Sequence, residues 1–340
     1  MVNRSSFEQS YISVIGGGSW GTALASMLGR KGYDVMLWTF EQDVAEQINQ
    51  ERINSSYLPG VQLPDTLTAT TSIQKAVSKA RYIISVVPTQ HIRRVFESAV
   101  SFANREAIVV SASKGIEITT LLTPSLILQE IFNRPAAALS GPSFASEVSI
   151  GLPTAVTLAV QDKKTGLLLQ EIFNTDAFRV YTHNDVLGTE MGGALKNVIA
   201  IASGITAGLG LGKSALAALI TRGLSEIVRL GVKLGADEIT FSGLSGMGDL
   251  VLTCTSSLSR NYSVGKRLGQ GETLEEITRS TKSVAEGVPT TISARELANK
   301  HGVEMPIVEQ IYQTLYNNKP PHEALRDLMT RSLKSEFNAY

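Results

Sequence analysis

Four ionisable side chains stand among neighbours that make their charge conspicuous. Lys196, followed by Asn197, interrupts the small, apolar helical stretch Gly192-Gly-Ala-Leu-Lys-Asn-Val-Ile-Ala200. Burying an ammonium costs on the order of several kcal/mol unless it is paired or loses its proton. Lys196 therefore either reaches water at a helix edge or is held for chemistry. As a cation it stabilises negative charge growing on an oxygen, and as a neutral amine it accepts a proton. Asp249, in Ser245-Gly-Met-Gly-Asp-Leu-Val-Leu-Thr-Cys-Thr255, is either a helix N-cap or a partner for that lysine, with Gly248 making a flexible turn before it. Arg260, in Ser259-Arg-Asn261, offers a guanidinium fork that suits a phosphate, or forms a surface salt bridge. Lys114, in Ala112-Ser-Lys-Gly115, is a cation at the end of an apolar run, or a solvated loop lysine.

A second constellation is a glycine turn. Gly16, Gly18 and Gly21 form G-x-G-x-x-G between the strand-like Ile12, Val14, Ile15 and the helical pattern Ala23, Leu24, Met27, Leu28. The first glycine permits a tight turn, the second lets a pyrophosphate approach the backbone, and the third lets helix and strand pack closely. A helix starting near Ser19 points its unpaired N–H groups at the anion. The pattern predicts dinucleotide binding.

Other chemistries are poorly supported. The single cysteine, Cys254, reads as a small core residue and excludes a disulfide framework. His91, His183, His301 and His322 are scattered without metal-ligand spacing, so no metal site and no catalytic dyad is expected.

These residues need a scaffold, and the chain supplies strand and helix patterns in alternation. Strands are expected at 34–38, 81–88, 107–111, 136–140, 154–160 and 178–182, with a helix at 163–173. The stretch 54–71 reads as polar and proline-containing. Apolar strands separated by helices predict a parallel, doubly wound α/β sheet of Rossmann type covered on both faces. Ligands of such sheets sit at the carboxyl ends of the strands, where the loops Pro88–His91, Ala112–Gly115 and Ser140–Ala145 lie. Strand signals stop near Gly188, and helical spacing follows, at Leu224 to Leu230, Val303 to Tyr316 and Pro321 to Leu333. The expected boundary is near 185–192, giving a dinucleotide-binding domain at 1–190 and an all-α substrate domain at 191–340.

With 340 residues, 43% hydrophobic and 18% charged, the chain suits two compact domains. Lys+Arg and Asp+Glu both number 31, so no net charge favours nucleic acid or an anionic membrane. The polar leader and the interrupted apolar stretch 198–219 predict neither a signal peptide nor a membrane span, hence a soluble cytoplasmic protein. Oligomeric state is left open, with a homodimer among the assemblies allowed.

The segments GGGSWGTALA, ASKGIE, SGPSFASEV, GGALKNVIAIASG and GMGDLVLTCTSSLSRN occur in this order. Together they resemble the bacterial NAD(P)-dependent glycerol-3-phosphate dehydrogenases, from about residue 11 to about 330. The resemblance implies reversible reduction of dihydroxyacetone phosphate to sn-glycerol 3-phosphate with NAD(P)H and no metal, supplying phospholipid synthesis. It also implies that substrate lies between the domains. Carried over by position, Ser19, Trp20, Ala145, Val284 and Glu286 contact cofactor, while Lys114 and Arg260 contact cofactor and substrate. Gly141, Ser143, Asp249, Ser259 and Asn261 contact substrate, and Lys196 is the proton acceptor in the oxidation direction. Phe40 stands where relatives often carry a histidine or other polar residue. The second strand ends Leu37-Trp38-Thr39-Phe40-Glu41 without an arginine and with its acid slightly late, so use of both cofactors is expected. Two alternatives are weighed. A 6-phosphogluconate-type or 3-hydroxyacid dehydrogenase would lack the SRN and GDLVLTC elements. A nucleotide sensor without chemistry would not need Lys196, Asp249 and Arg260 together.

Overall fold

Ile12 and Val14 enter one apolar cluster and Ile15 another, and neighbouring strands alternate likewise: Ile84 and Val110 on one face, Ile83 and Val109 on the other. Strands wanted on both faces need cover on both. The computed structural model describes residues 11–280, 285–333 and 335–336. In it the strands are β1 (Ile12–Ile15), β2 (Val35–Trp38), β3 (Leu67–Thr70), β4 (Tyr82–Ser85), β5 (Ile108–Ser111), β6 (Ala137–Ser140), β7 (Thr154–Ala159) and β8 (Phe178–His183). Helices α1 (Ser19–Arg30), α2 (Gln42–Glu51), α3 (Ile73–Val77), α4 (Ile92–Glu97), α5 (Pro124–Phe132), α6 (Ala145–Ser149) and α7 (Lys163–Phe173) connect them.

The sheet order is β3-β2-β1-β4-β5-β6-β7-β8. The doubly wound Rossmann-like sheet is present, with β1 to β6 parallel as expected. The all-parallel expectation fails only at β7, which is antiparallel to β6, while β8 runs parallel to β7. The segment between β6 and β7 contains only the five-residue α6 rather than a full crossover helix, so the chain returns in the opposite direction. The stretch 54–71 conceals β3, an edge strand of four residues that buries Leu67 and Ala69 and exposes Thr68. Its polar half-face masked it.

After β8 the described elements are helical: α8 (Val186–Gly208), α9 (Gly212–Lys233), α10 (Asp249–Thr255), α11 (Arg260–Gly269), α12 (Leu274–Ser280), α13 (Gly287–His301), α14 (Pro306–Tyr316) and α15 (Pro321–Met329), with short 3₁₀ and π turns between α9 and α10. α8 is capped by Asp185, which accepts from Gly188 N at 2.8 Å, and it is buried from Gly188 through Thr206. A helix buried on every side belongs inside a bundle. It runs through position 190/191. α11 lies directly against it because both helices are pared to glycine at the contact. A Cβ on Gly204 would come 2.0 Å from the Tyr262 carbonyl oxygen, and one on Gly265 would come 1.9 Å from that of Ile201. Among the described residues no helix is long and apolar enough to cross a membrane.

Candidate active site

A cleft of about 920 Å³ runs from the glycine turn of β1–α1 to the start of α11, lined by Gly18, Trp20, Lys114, Lys196, Arg260 and Glu286 among others. At its first end Gly16 adopts φ +124°, and a Cβ on Gly21 would stand 1.8 Å from the Gly16 carbonyl oxygen. A Cβ on Gly18 would meet nothing within 4 Å and would project into open space. No side chain caps α1, so its first-turn N–H groups stay available to an anion. Two buried polar atoms of the cleft, Trp20 Nε1 and Glu286 Oε2, have no hydrogen-bond partner among the described residues. These features fit a dinucleotide.

The middle of the cleft holds a buried cluster. Asp249, at the start of α10, is 2% exposed and accepts from two lysines. Lys114 Nζ, from the loop after β5, lies 2.6 Å from Oδ2, and Lys196 Nζ, from α8, lies 2.8 Å from Oδ1. Lys114 also donates to the Gly141 carbonyl at 3.0 Å. Lys196 donates to Thr253 Oγ1 at 2.6 Å. Burial pushes the pKa of Lys196 down to about 8; Asp249 opposes that shift, and the positive charge of Lys114 adds to it. Thr253 was not foreseen from sequence. Its signal was available, since it lies four residues after Asp249 on one helix face.

Arg260 and Asn261 open α11, whose N-cap is Ser259, accepting from Tyr262 N at 3.2 Å. Arg260 is exposed to the cleft and makes no ion pair among the described residues, although surrounding protein lowers its pKa by burial against a modest opposing pull from Glu286. Asn261 donates to Asn197 Oδ1 at 2.9 Å and accepts from Gly287 N at 2.9 Å, tying α11 to α8 and α13. Ser143 donates to the Gly141 carbonyl at 3.0 Å, beside Lys114. Ser19, Ser143 and Ala145 line the cleft together. Glu286 Oε1 accepts from Thr89 N at 3.2 Å, and burial pushes this carboxyl up to about 7. Val284 lies outside the described residues.

Several isolated features resolve differently from their sequence appearance. Lys114 is ion-paired rather than solvated, and Asp249 pairs with both lysines rather than capping α10. Gly248 ends a π-helical turn, Leu244–Gly248, that feeds directly into α10. Cys254 is fully buried, and burial raises its pKa to about 12. His183, without metal-ligand spacing in sequence, is brought beside Asp185 and Asp237 by the fold. Asp185 there is committed to Gly188 N, Asp237 N and Thr240 Oγ1, while His183 Nε2 meets Thr240 Oγ1 at 2.9 Å.

Comparison with known proteins agrees over the whole fold. Residues 11–166 match the N-terminal profile of NAD-dependent glycerol-3-phosphate dehydrogenase, and residues 185–326 match its C-terminal profile. Glycerol-3-phosphate dehydrogenase [NAD(P)+] of Citrifermentans bemidjiense is 54% identical over 96% of this chain and 98% of its own length. That of Solidesulfovibrio magneticus is 51% identical over 96% and 99%. The crystal structure of glycerol-3-phosphate dehydrogenase from Coxiella burnetii superposes with a TM-score of 0.92 at 37% identity, covering 95% of this chain and 99% of that one. Matched by both profiles and by relatives over nearly its whole length, this chain belongs to the NAD-dependent glycerol-3-phosphate dehydrogenase family.

Proposed function

We propose that the cleft catalyses reversible reduction of dihydroxyacetone phosphate to sn-glycerol 3-phosphate with NAD(P)H, feeding glycerophospholipid synthesis. The observation that carries it is the sharing of buried Asp249 by Lys114 and Lys196, in the cleft that begins at the glycine turn. When bound, the nicotinamide supplies or accepts the hydride. Negative charge then grows on the substrate oxygen, and two ammonium groups held by one carboxylate stabilise it before water can. Lys196 gives that oxygen its proton in reduction and removes it in oxidation. Its lowered pKa suits both directions. Arg260, which forms no ion pair among the described residues, takes the phosphate, with Ser259 and Asn261 beside it.

Gly141 and Ser143 border the substrate next to Lys114. Ser19, Trp20, Ala145 and Glu286 face the dinucleotide, with Lys114 and Arg260 touching both ligands. The helical part from 191 onward forms the substrate domain, and 1–190 the dinucleotide domain. Two ammonium groups supply the positive charge that a Lewis acid would bring, so catalysis is expected to need no metal and to survive a chelator. Cytoplasmic residence and a homodimeric assembly complete the reading, to be checked by cell fractionation and light scattering. Its direct test is oxidation of NADH and NADPH by dihydroxyacetone phosphate, run in parallel. Turnover must depend on that substrate, and sn-glycerol 3-phosphate must accumulate in step with cofactor loss.

A further inference from the structure

The loop that carries Lys114 is gripped from both the sheet and the helical part, just beyond the lysine. Ile116 lies in that loop after β5, yet it is fully buried in the apolar cluster of the helical part, with Met191, Leu195 and Leu297. Its carbonyl accepts two hydrogen bonds. Gln90 Nε2, from the turn Thr89–His91 after β4, donates at 2.8 Å, and Ser293 Oγ, from α13, donates at 2.9 Å. A carbonyl oxygen has two lone pairs, so this one is filled. The same Gln90 side chain accepts from Ile118 N through Oε1 at 3.0 Å. Its amide thus holds the loop backbone at two points on one edge, as a neighbouring strand would.

On the other side of the lysine, Ser113 Oγ donates to the Val87 carbonyl at 2.7 Å. A Cβ on Gly115 would come 2.4 Å from Thr89 Oγ1 and 2.9 Å from Glu286 Oε2, so the chain has little room to shift. Lys114 therefore springs from a backbone fixed before and after it, and its ammonium reaches Asp249 Oδ2 at 2.6 Å. Gln90 and Ser293 lie outside the lining of the cleft and can act only through that loop. The titratable groups felt by Lys196 are Asp249 and Cys254 of α10 and Lys114, while Arg260 of α11 and Glu286 border the same cleft. Beyond the burial that lowers the Lys196 pKa, the charge of Lys114 lowers it further, and Lys114 also occupies one oxygen of the shared carboxylate. A slack loop would withdraw that charge and leave Asp249 to Lys196 alone. Both changes favour the Lys196 ammonium.

Resting on the proposed dehydrogenase reading, we propose that Gln90 and Ser293 are positioning residues, bracing the Lys114 loop from both sides so that its ammonium stays on Asp249. Steady-state oxidation of sn-glycerol 3-phosphate across pH, beside NADH binding and a thermal melt, tests this on the full-length protein. Gln90→Met keeps the length and volume of the side chain but has no amide. Its kcat at pH 7 should fall by about tenfold, the worth of about one hydrogen bond serving a charged group. The pH midpoint of its kcat should rise by about half a unit. NADH affinity should stay within about threefold of wild type. Ser293→Ala should move kcat and midpoint in the same directions by less, because Gln90 still holds the carbonyl. An unmoved midpoint in either variant, with or without a loss of kcat, overturns the proposal, since general loosening lowers kcat without altering what Lys196 feels. Should Gln90→Met fail to fold, Ser293→Ala decides by the same readings. Wild type without turnover of sn-glycerol 3-phosphate would instead overturn the dehydrogenase reading beneath it.

Discussion

Thr253 Oγ1 lies 2.6 Å from Lys196 Nζ and 2.6 Å from the Asp249 carbonyl oxygen, to which it donates its only hydrogen. Toward Lys196 it can therefore act only as an acceptor, as Asp249 Oδ1 does at 2.8 Å. A neutral amine has two hydrogens and one lone pair. With both hydrogens committed to Asp249 and Thr253, the lone pair is left for the substrate alcohol. Thr253→Val removes one acceptor with little change of volume and frees the amine to rotate. Oxidation of sn-glycerol 3-phosphate should slow by about ten- to a hundredfold, the worth of one buried hydrogen bond to a charged or reacting group. The fold and dinucleotide affinity should be kept. Steady-state kcat beside a thermal melt checks it.

If Lys196 is the proton donor and acceptor proposed above, its protonation state sets opposite pH dependences for the two directions. Reduction needs the ammonium and oxidation needs the amine. With the pKa lowered to about 8, kcat for oxidation should rise as pH climbs through that value, while kcat for reduction falls over the same window. Profiles that rise or fall together in both directions would assign the titration to another group.

Arg260 forms no ion pair among the described residues, and its charge is felt only at a distance by Glu286. Arg260→Ala should leave the melting temperature near wild type and raise KM for dihydroxyacetone phosphate by roughly a hundredfold or more, the loss of a charge-assisted bidentate contact. NADH binding, followed by fluorescence, should change much less. An unaltered KM would make Arg260 a bystander.

The second and third glycines of the turn should fail in different ways. Gly18→Ala adds a Cβ that meets nothing, so stability should stay within about 0.5 kcal/mol while dinucleotide affinity drops at least about tenfold. Gly21→Ala drives a Cβ to 1.8 Å from the Gly16 carbonyl oxygen, and the protein should lose its fold. Calorimetric binding and thermal melts on both variants separate the cases.

Much of this was legible because the relevant patterns are local. The glycine turn, the apolar strands β1, β4, β5 and β6, and the polar breaks at Lys196 and Asp249 each declare themselves within a few residues. What escaped depends on partners distant in sequence. The polar edge strand β3 is specified by pairing with β2, and the reversal at β7 by the shortness of α6. Thr253 looks like an ordinary helical residue until α8 brings Lys196 to it, and Gln90 gains meaning only beside Ile116, 26 residues later.

The claim on which the rest depends is that Lys196 moves the proton. Its most direct measurement is kcat of folded Lys196→Ala and Lys196→Arg proteins in both directions, with NADH binding confirmed first. Alanine should reduce turnover by about two to four orders of magnitude, the usual worth of general acid–base catalysis. Arginine should not rescue it, because a guanidinium does not release its proton near neutral pH. A Lys196→Ala rate within about tenfold of wild type would contradict the assignment and move the proton to another group, with Lys114 the first candidate.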